Sequence, residues 1–107
     1  MSEGGRVKLC STDEIPLGEA KRFDVNGERV ALFHIDDGFF ATADTCSHEE
    51  ASLSEGFIDE GLVECPEHGA QFDIQTGEFR SLPATQPVRS YRVVVEGSEV
   101  YVEDPNG

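Results

Sequence analysis

The chain has 107 residues, of which 37 % are hydrophobic, and a net charge of −14 from 22 acidic and 8 basic residues. This length allows one domain with a modest core and is too short for two. The charge argues against nucleic-acid binding, because a phosphate backbone would repel such a surface. No apolar run is long enough to span a membrane, and the acidic start Ser2–Gly5 does not resemble a secretory signal. We therefore expect a cytoplasmic protein with no membrane partner.

The first half of the chain predicts a series of β-strands. A short strand at Arg6–Cys10 precedes a polar turn. Strands at Ala20–Val25 and Glu28–Ile35 then flank Asn26-Gly27, which is a strong hairpin signal. In the strand Glu28–Ile35, alternation places Val30, Leu32 and His34 on one face and Ala31, Phe33 and Ile35 on the other.

The second half continues the same pattern. Further strands are predicted at Phe39–Ala43, Leu62–Glu64, Gln71–Ile74, Tyr91–Val95 and Glu99–Val102. No long segment has the apolar period of a helix, and turn signals recur every 8 to 12 residues or so. This spacing predicts an all-β protein, a small antiparallel sandwich or barrel.

Two mixed pairs, Cys46-x-His48 and Cys65-x-x-His68, lie in turn-like segments with 16 residues between them. Each pair offers a thiolate and an imidazole from one turn, so the two turns together supply four metal ligands. Three cysteines cannot all form disulfides, and a reducing cytosol would keep them as thiols.

Three interpretations of these pairs are open. The cysteines could be unrelated small buried residues. A structural zinc site could accept two sulfurs and two nitrogens, although zinc sites usually group Cys with Cys and His with His. A two-iron, two-sulfide cluster could take two Cys on one iron and two His on the other, which explains why both pairs are mixed.

The motif and its surroundings resemble the Rieske iron–sulfur family. Cys46-x-His48 and Cys65-x-x-His68-Gly69, with flanking segments Phe39–Asp44 and Ser52–Gly56, Gly77 and Leu82-Pro83, are similar to free Rieske ferredoxins of bacterial aromatic ring-hydroxylating dioxygenases. The resemblance leaves biphenyl, naphthalene, carbazole and cumene systems open, because the oxygenase and not this chain would recognise the aromatic substrate. The resemblance extends over nearly the whole chain.

The resemblance implies a Rieske-like antiparallel β-sandwich with a small two-loop cluster-binding subdomain. Residues 1–107 would form a single Rieske domain, with the subdomain at about 44–84. The chain would hold one [2Fe-2S] cluster through Cys46, His48, Cys65 and His68, with the two histidines at an exposed docking surface. As a monomer, it would pass single electrons from a flavoprotein ferredoxin reductase to a terminal oxygenase.

The residues predict an electron carrier and not an enzyme. Oxygen activation at non-haem iron usually needs two His and a carboxylate around an open site. Only His34 remains beyond the two pairs, and its alternation places it within a strand, where we expect packing or hydrogen bonding. Cys10 is likewise expected to be a strand residue without a redox role. The alternative functions are a structural zinc module and a Rieske-like small subunit of nitrite reductase, although such subunits commonly lack the four ligands.

The sequence differs from the high-potential members of the Rieske family at positions that affect the reduction potential. High-potential members of the family have a Ser and a Tyr whose hydroxyls donate hydrogen bonds at the cluster, and the corresponding residues here are Ala70 and Phe72. The two cysteines of their inter-loop disulfide correspond to Ala51 and Glu67 here, so this chain cannot form that bond. We therefore expect a potential near the low end of the Rieske range, roughly −150 mV.

Overall fold

The computed structural model describes residues 6–44, 52–66, 69–80 and 88–103. Ten strands form in these ranges: β1 (Arg6–Ser11), β2 (Ala20–Val25), β3 (Glu28–Ile35), β4 (Gly38–Ala43), β5 (Phe57–Asp59), β6 (Leu62–Glu64), β7 (Gln71–Asp73), β8 (Ser90–Tyr91), β9 (Val93–Glu96) and β10 (Glu99–Glu103). Two short 3-10 helices, Thr12–Glu14 and Leu53–Glu55, complete the described elements. No helix in these ranges is long and apolar enough to cross a membrane.

The strands form three antiparallel sheets. Their orders are β1-β10-β9, β2-β3-β4-β8 and β5-β6-β7. The predicted all-β, antiparallel architecture is therefore confirmed. The first sheet joins the two ends of the described chain, because β1 pairs with β10.

Strand β3 lies at the centre of the fold with both faces buried. Val30 and Leu32 belong to one hydrophobic core, and Ala31 and Phe33 belong to a second core. The alternation predicted from the sequence thus separates two cores across a single strand. The second core also contains side chains from the β5-β6-β7 sheet, such as Val63.

The hairpin between β2 and β3 has the predicted bounds. Asn26 and Gly27 have φ angles of 50° and 90°. Two consecutive left-handed residues are typical of a type I′ turn, whose twist matches that of the flanking strands. Asn and Gly are the residues that adopt this conformation at least cost.

One predicted strand is wrong in its extent. The single strand expected at Tyr91–Val95 is divided, since Tyr91 pairs with Ala41 of β4 and Val93 pairs with Val102 of β10. The chain therefore passes from one sheet to another at Arg92. Alternation continues through such a crossing, so the sequence pattern does not reveal it. Strand β5 and the two 3-10 helices were not predicted.

Candidate metal centre

Of the four predicted ligands, the structure describes Cys65. Cys46, His48 and His68 lie outside the described residues. The structure does describe the residues at both ends of each predicted ligand loop.

The second loop connects β6 to β7 and begins at Cys65. The backbone N–H of Cys65 donates a hydrogen bond to the carbonyl of Ala70 (2.7 Å), and the N–H of Gly69 donates to the carbonyl of Cys65 (3.0 Å). Gly69 has a φ of 77°, a left-handed conformation that favours glycine. The hairpin thus fixes the backbone of Cys65, whose residue surface is only 1 % exposed.

The first loop is closed by Asp44, which directly follows β4. One carboxylate oxygen accepts a hydrogen bond from the Ser52 hydroxyl (2.6 Å), and the other accepts one from the Ser54 N–H (2.9 Å). The backbone carbonyl of Asp44 also accepts the N–H of Leu53 (2.7 Å). Asp44 is only 1 % exposed, so its carboxylate is removed from water. These hydrogen bonds compensate for the lost hydration. They join the two ends of segment 45–51, which contains Cys46 and His48.

Both loops start from the same hydrophobic core. Leu53, next to the first loop, lies in one cluster with Cys65 and Ala70 of the second loop and with Phe72. A thiol removed from water at the base of a fixed hairpin suits iron–sulfide ligation, for which soft sulfur donors are preferred. Within the described residues, no group of three or more His, Cys, Asp or Glu side chains is placed to hold a metal ion elsewhere.

Sequence reasoning did not identify Asp44 as a supporting residue. Its signal is an acidic residue directly after a strand, followed by a Ser-x-Ser at 52–54. This signal is weak, because Asp and Ser are common in turns for local reasons.

The remaining Cys and His have the structural positions that were predicted. Cys10 lies in β1 at 4 % exposure, and burial, with a further contribution from Glu14, raises the pKa of its thiol. His34 lies in β3, where its Nδ1 donates to the carbonyl of Ile15 (2.7 Å). Its ring stacks on Phe39 with centroids 4.0 Å apart. These contacts account for both residues through packing and hydrogen bonding.

The described residues define a small antiparallel β protein in which the ends of the two predicted ligand loops meet at one hydrophobic core that contains Cys65. The Rieske [2Fe-2S] domain matches residues 5–92 of this chain. The chain belongs to this family, and its cofactor is one Rieske-type [2Fe-2S] cluster.

Two relatives extend over most of the chain. The 3-phenylpropionate/cinnamic acid dioxygenase ferredoxin subunit of Shigella boydii serotype 4 (strain Sb227) is 44 % identical over 101 residues, covering 94 % of each chain. The biphenyl dioxygenase ferredoxin subunit of Pseudomonas sp. (strain KKS102) is 43 % identical over 98 residues, covering 91 % of this chain and 90 % of the relative. Both are ferredoxin subunits, which confirms the prediction that this chain is an electron-transfer protein and not itself an enzyme.

Solved structures of related proteins have the same fold as this chain. The ferredoxin of carbazole 1,9a-dioxygenase from Nocardioides aromaticivorans IC177 superposes with a TM-score of 0.89 at 37 % identity, covering 92 % of this chain and 97 % of that one. The ferredoxin in a complex with the oxygenase of carbazole 1,9a-dioxygenase gives 0.88 at 39 % identity, covering 92 % and 93 %. A protein described as an NADPH nitrite reductase small subunit gives 0.81 at 28 % identity, covering 91 % and 96 %.

Proposed function

We propose that this chain is the ferredoxin component of a bacterial aromatic ring-hydroxylating dioxygenase system. It receives one electron from a flavoprotein ferredoxin reductase and passes it to a terminal oxygenase. The names of the relatives support this role, and the carbazole dioxygenase complex supports direct contact between such a ferredoxin and its oxygenase. The reductase as electron donor follows from the resemblance to the free Rieske ferredoxins.

The proposed ligands are Cys46 and Cys65 on one iron, as thiolates, and His48 and His68 on the other, as neutral imidazoles. The observation that carries this proposal is the burial of Cys65 on the same core as Leu53, next to the first loop. When bound, the cluster takes up and releases one electron. The chain's part is to hold the backbone of both loops, through Asp44 on one side and the Cys65–Ala70 hydrogen bond on the other.

The three-stranded β5-β6-β7 sheet supports the proposed division of the chain. This sheet and the 3-10 helix Leu53–Glu55 both fall within the predicted cluster-binding subdomain at about 44–84. We propose that 1–107 is one Rieske domain with this subdomain built onto the other two sheets.

An exposed aromatic side chain lies near Cys65. Phe57 is 67 % exposed and pairs in register with Glu64, the residue directly before Cys65. Exposed aromatic residues are frequent anchors of protein interfaces. We propose that Phe57 contacts the redox partners when the cluster end of the molecule docks.

The charge of −14 supports two further parts of the proposal. Like charges repel, so we propose that the protein is a monomer and that it meets its partners through their basic patches. A small-subunit role in nitrite reductase has weaker support, since that likeness falls to 28 % identity and all four proposed ligand residues are present here.

The absorption spectrum of anaerobically purified protein tests this proposal. We expect a red-brown wild-type protein, and colourless or unstable protein for Cys46→Ser and Cys65→Ser, since metal binding and loop folding are coupled. Cys10→Ser is the matched control, because it makes the same change at another buried thiol, 4 % exposed. A colourless wild type, or loss of colour in Cys10→Ser, would contradict the ligand assignment.

A further inference from the structure

A groove with a volume of about 480 Å³ lies between the β3–β4 turn, the β5–β6 turn and the segment before β2. Its apolar lining comes from Ile35, which is buried, Ile58, which is half-buried, and Leu17, which is 59 % exposed. Leu17 is one of the few large apolar side chains left in water among the described residues. The groove therefore offers an apolar floor that is open to solvent.

Carboxylates surround this floor. Asp36, Asp59 and Glu60 are exposed, and none of their side-chain carboxylates has a hydrogen bond or ion pair to another of the described residues. Two further carboxylates in the lining are already engaged: Asp37 accepts from the Gln75 amide, and Asp73 accepts from Arg80. In the part of the chain that the structure describes, no lysine or arginine lines the groove.

The groove lies at the opposite ends of the strands from the ligand loops. In the central sheet, Ile35 and Asp36 adjoin the start of β4, whereas Asp44 follows its end. In the small sheet, Asp59 pairs with Leu62 at one end of β6, and Cys65 follows the other end. Six residues of β4 span about 20 Å. A molecule in the groove would thus leave the cluster end accessible.

An apolar floor with carboxylates above it complements a particular kind of side chain. Arginine and lysine have an apolar stem and a cationic head, so the stem can cover Ile58 and Leu17 while the head reaches the carboxylates. The planar guanidinium of arginine also pairs with carboxylates through two hydrogen bonds at once. A second copy of this chain is a poor occupant because both copies carry −14.

We propose that this groove binds an arginine side chain presented by a partner protein, at a site separate from the cluster-end docking surface. The site allows the ferredoxin to remain attached to one protein while its cluster end exchanges electrons with another. Arginine binding is argued from the groove and its charges alone, whereas the role of keeping the ferredoxin attached rests on the proposed function.

The test is an NMR titration of ¹⁵N-labelled, cluster-loaded protein with an N-acetylated, C-amidated Gly-Leu-Arg-Gly peptide. We expect saturable shifts at the amides of Gly18, Asp36, Glu60 and Gly61, which border the groove. The same peptide with citrulline in place of arginine should bind about fivefold more weakly, because it lacks the charge. Equal binding of both peptides, or shifts that do not saturate, would overturn the proposal. Calcium chloride producing the same shifts would also overturn it, as this would indicate a simple cation site.

A charge-matched pair of variants separates the groove from the overall field. Asp36→Asn/Asp59→Asn/Glu60→Gln should weaken arginine-peptide binding by about tenfold. Asp13→Asn/Asp24→Asn/Glu55→Gln removes the same three charges, with the same residue types, from exposed positions outside the groove, and should change binding less than twofold. Equal weakening by both triple variants would show that only the net charge matters and would refute the site.

Discussion

Replacing Asp44 should test how the first ligand loop is held. Its carboxylate accepts two hydrogen bonds, from Ser52 and from the Ser54 N–H, inside the protein. Hydrogen bonds to a charged group contribute about 1.5–3 kcal/mol each to stability. Asp44→Ala should therefore lower the free energy of unfolding by about 3–6 kcal/mol. Asp44→Asn keeps the shape of the side chain and replaces the two charged hydrogen bonds by neutral ones of about 0.5–1.5 kcal/mol each. The loss in free energy of unfolding should therefore be smaller, about 2–3 kcal/mol.

These free energies predict a clear change in thermal stability. For a domain of this size, each kcal/mol lowers the unfolding midpoint by about 4–8 °C, so Asp44→Asn should lower it by roughly 10–20 °C. Unfolding of the cluster-loaded protein would be followed anaerobically by the loss of visible absorption at a fixed heating rate. Asp44→Ala should lose its cluster faster than Asp44→Asn at every temperature.

Two controls make this prediction specific. Asp24→Asn changes the same residue type at an exposed position in β2, and it should alter stability by less than about 0.5 kcal/mol. In a double-mutant cycle, Asp44→Asn and Ser52→Ala should be non-additive because the two side chains are hydrogen-bonded. Equal midpoints for Asp44→Asn and Asp24→Asn, or additive effects in the cycle, would refute the role given to this carboxylate.

Three further predictions concern potential, docking and pH. Ala70→Ser and Phe72→Tyr should each raise the reduction potential above a wild-type value of roughly −150 mV, measured by voltammetry; a wild-type value above zero, or no rise in either variant, would contradict the hydrogen-bond argument. Phe57→Ser should slow electron transfer to the oxygenase in stopped-flow experiments at every ionic strength, whereas added salt should slow the wild type by screening its charge; rates unaffected by both changes would remove this surface from docking. Burial alone would raise the pKa of Asp73, but hydrogen bonds from Arg80 and two backbone N–H groups outweigh it and hold the pKa below its usual 3.8. The stability that this carboxylate contributes is therefore present above that pH and lost below it, so Asp73→Asn should reduce the difference in stability between about pH 6 and pH 3; an unchanged difference would contradict this reasoning.

Much of the fold could be predicted from the sequence because β3 alternates so regularly. Its two sets of apolar residues indicate a strand buried on both faces, and the structure places one core on each. The Asn26-Gly27 turn then fixes the register of β2 against β3. The turn residues and the alternation of apolar residues were therefore sufficient to predict β2 and β3.

Features that depend on long-range pairing were not predictable in this way. The chain passes from one sheet to another at Arg92 because its two sides pair with different strands, β4 and β10. A local sequence pattern does not show which strand a residue will pair with. The pairing of β1 with β10 joins distant parts of the sequence for the same reason. The acidic groove likewise forms only when three separate turns meet.

The candidate site was predictable to a different degree. The spacing of Cys46, His48, Cys65 and His68 predicts the ligands, because mixed pairs have few other uses; of these four residues the structure describes Cys65. The supporting hydrogen bonds of Asp44 were not evident, since an aspartate after a strand is common. Ligand residue types thus identify the chemistry, whereas the residues that hold the loops require the tertiary structure.

The central claim is that two histidines and two cysteines ligate one cluster. Pulsed EPR of the reduced, cluster-loaded protein with ¹⁵N-labelled histidine measures this directly. We predict strong nitrogen couplings from two histidines, which change with the isotope and are unaltered in His34→Gln, a variant of the strand histidine outside the ligand set. A reduced cluster without histidine nitrogen coupling, or a coupling that disappears in His34→Gln, would contradict the assignment.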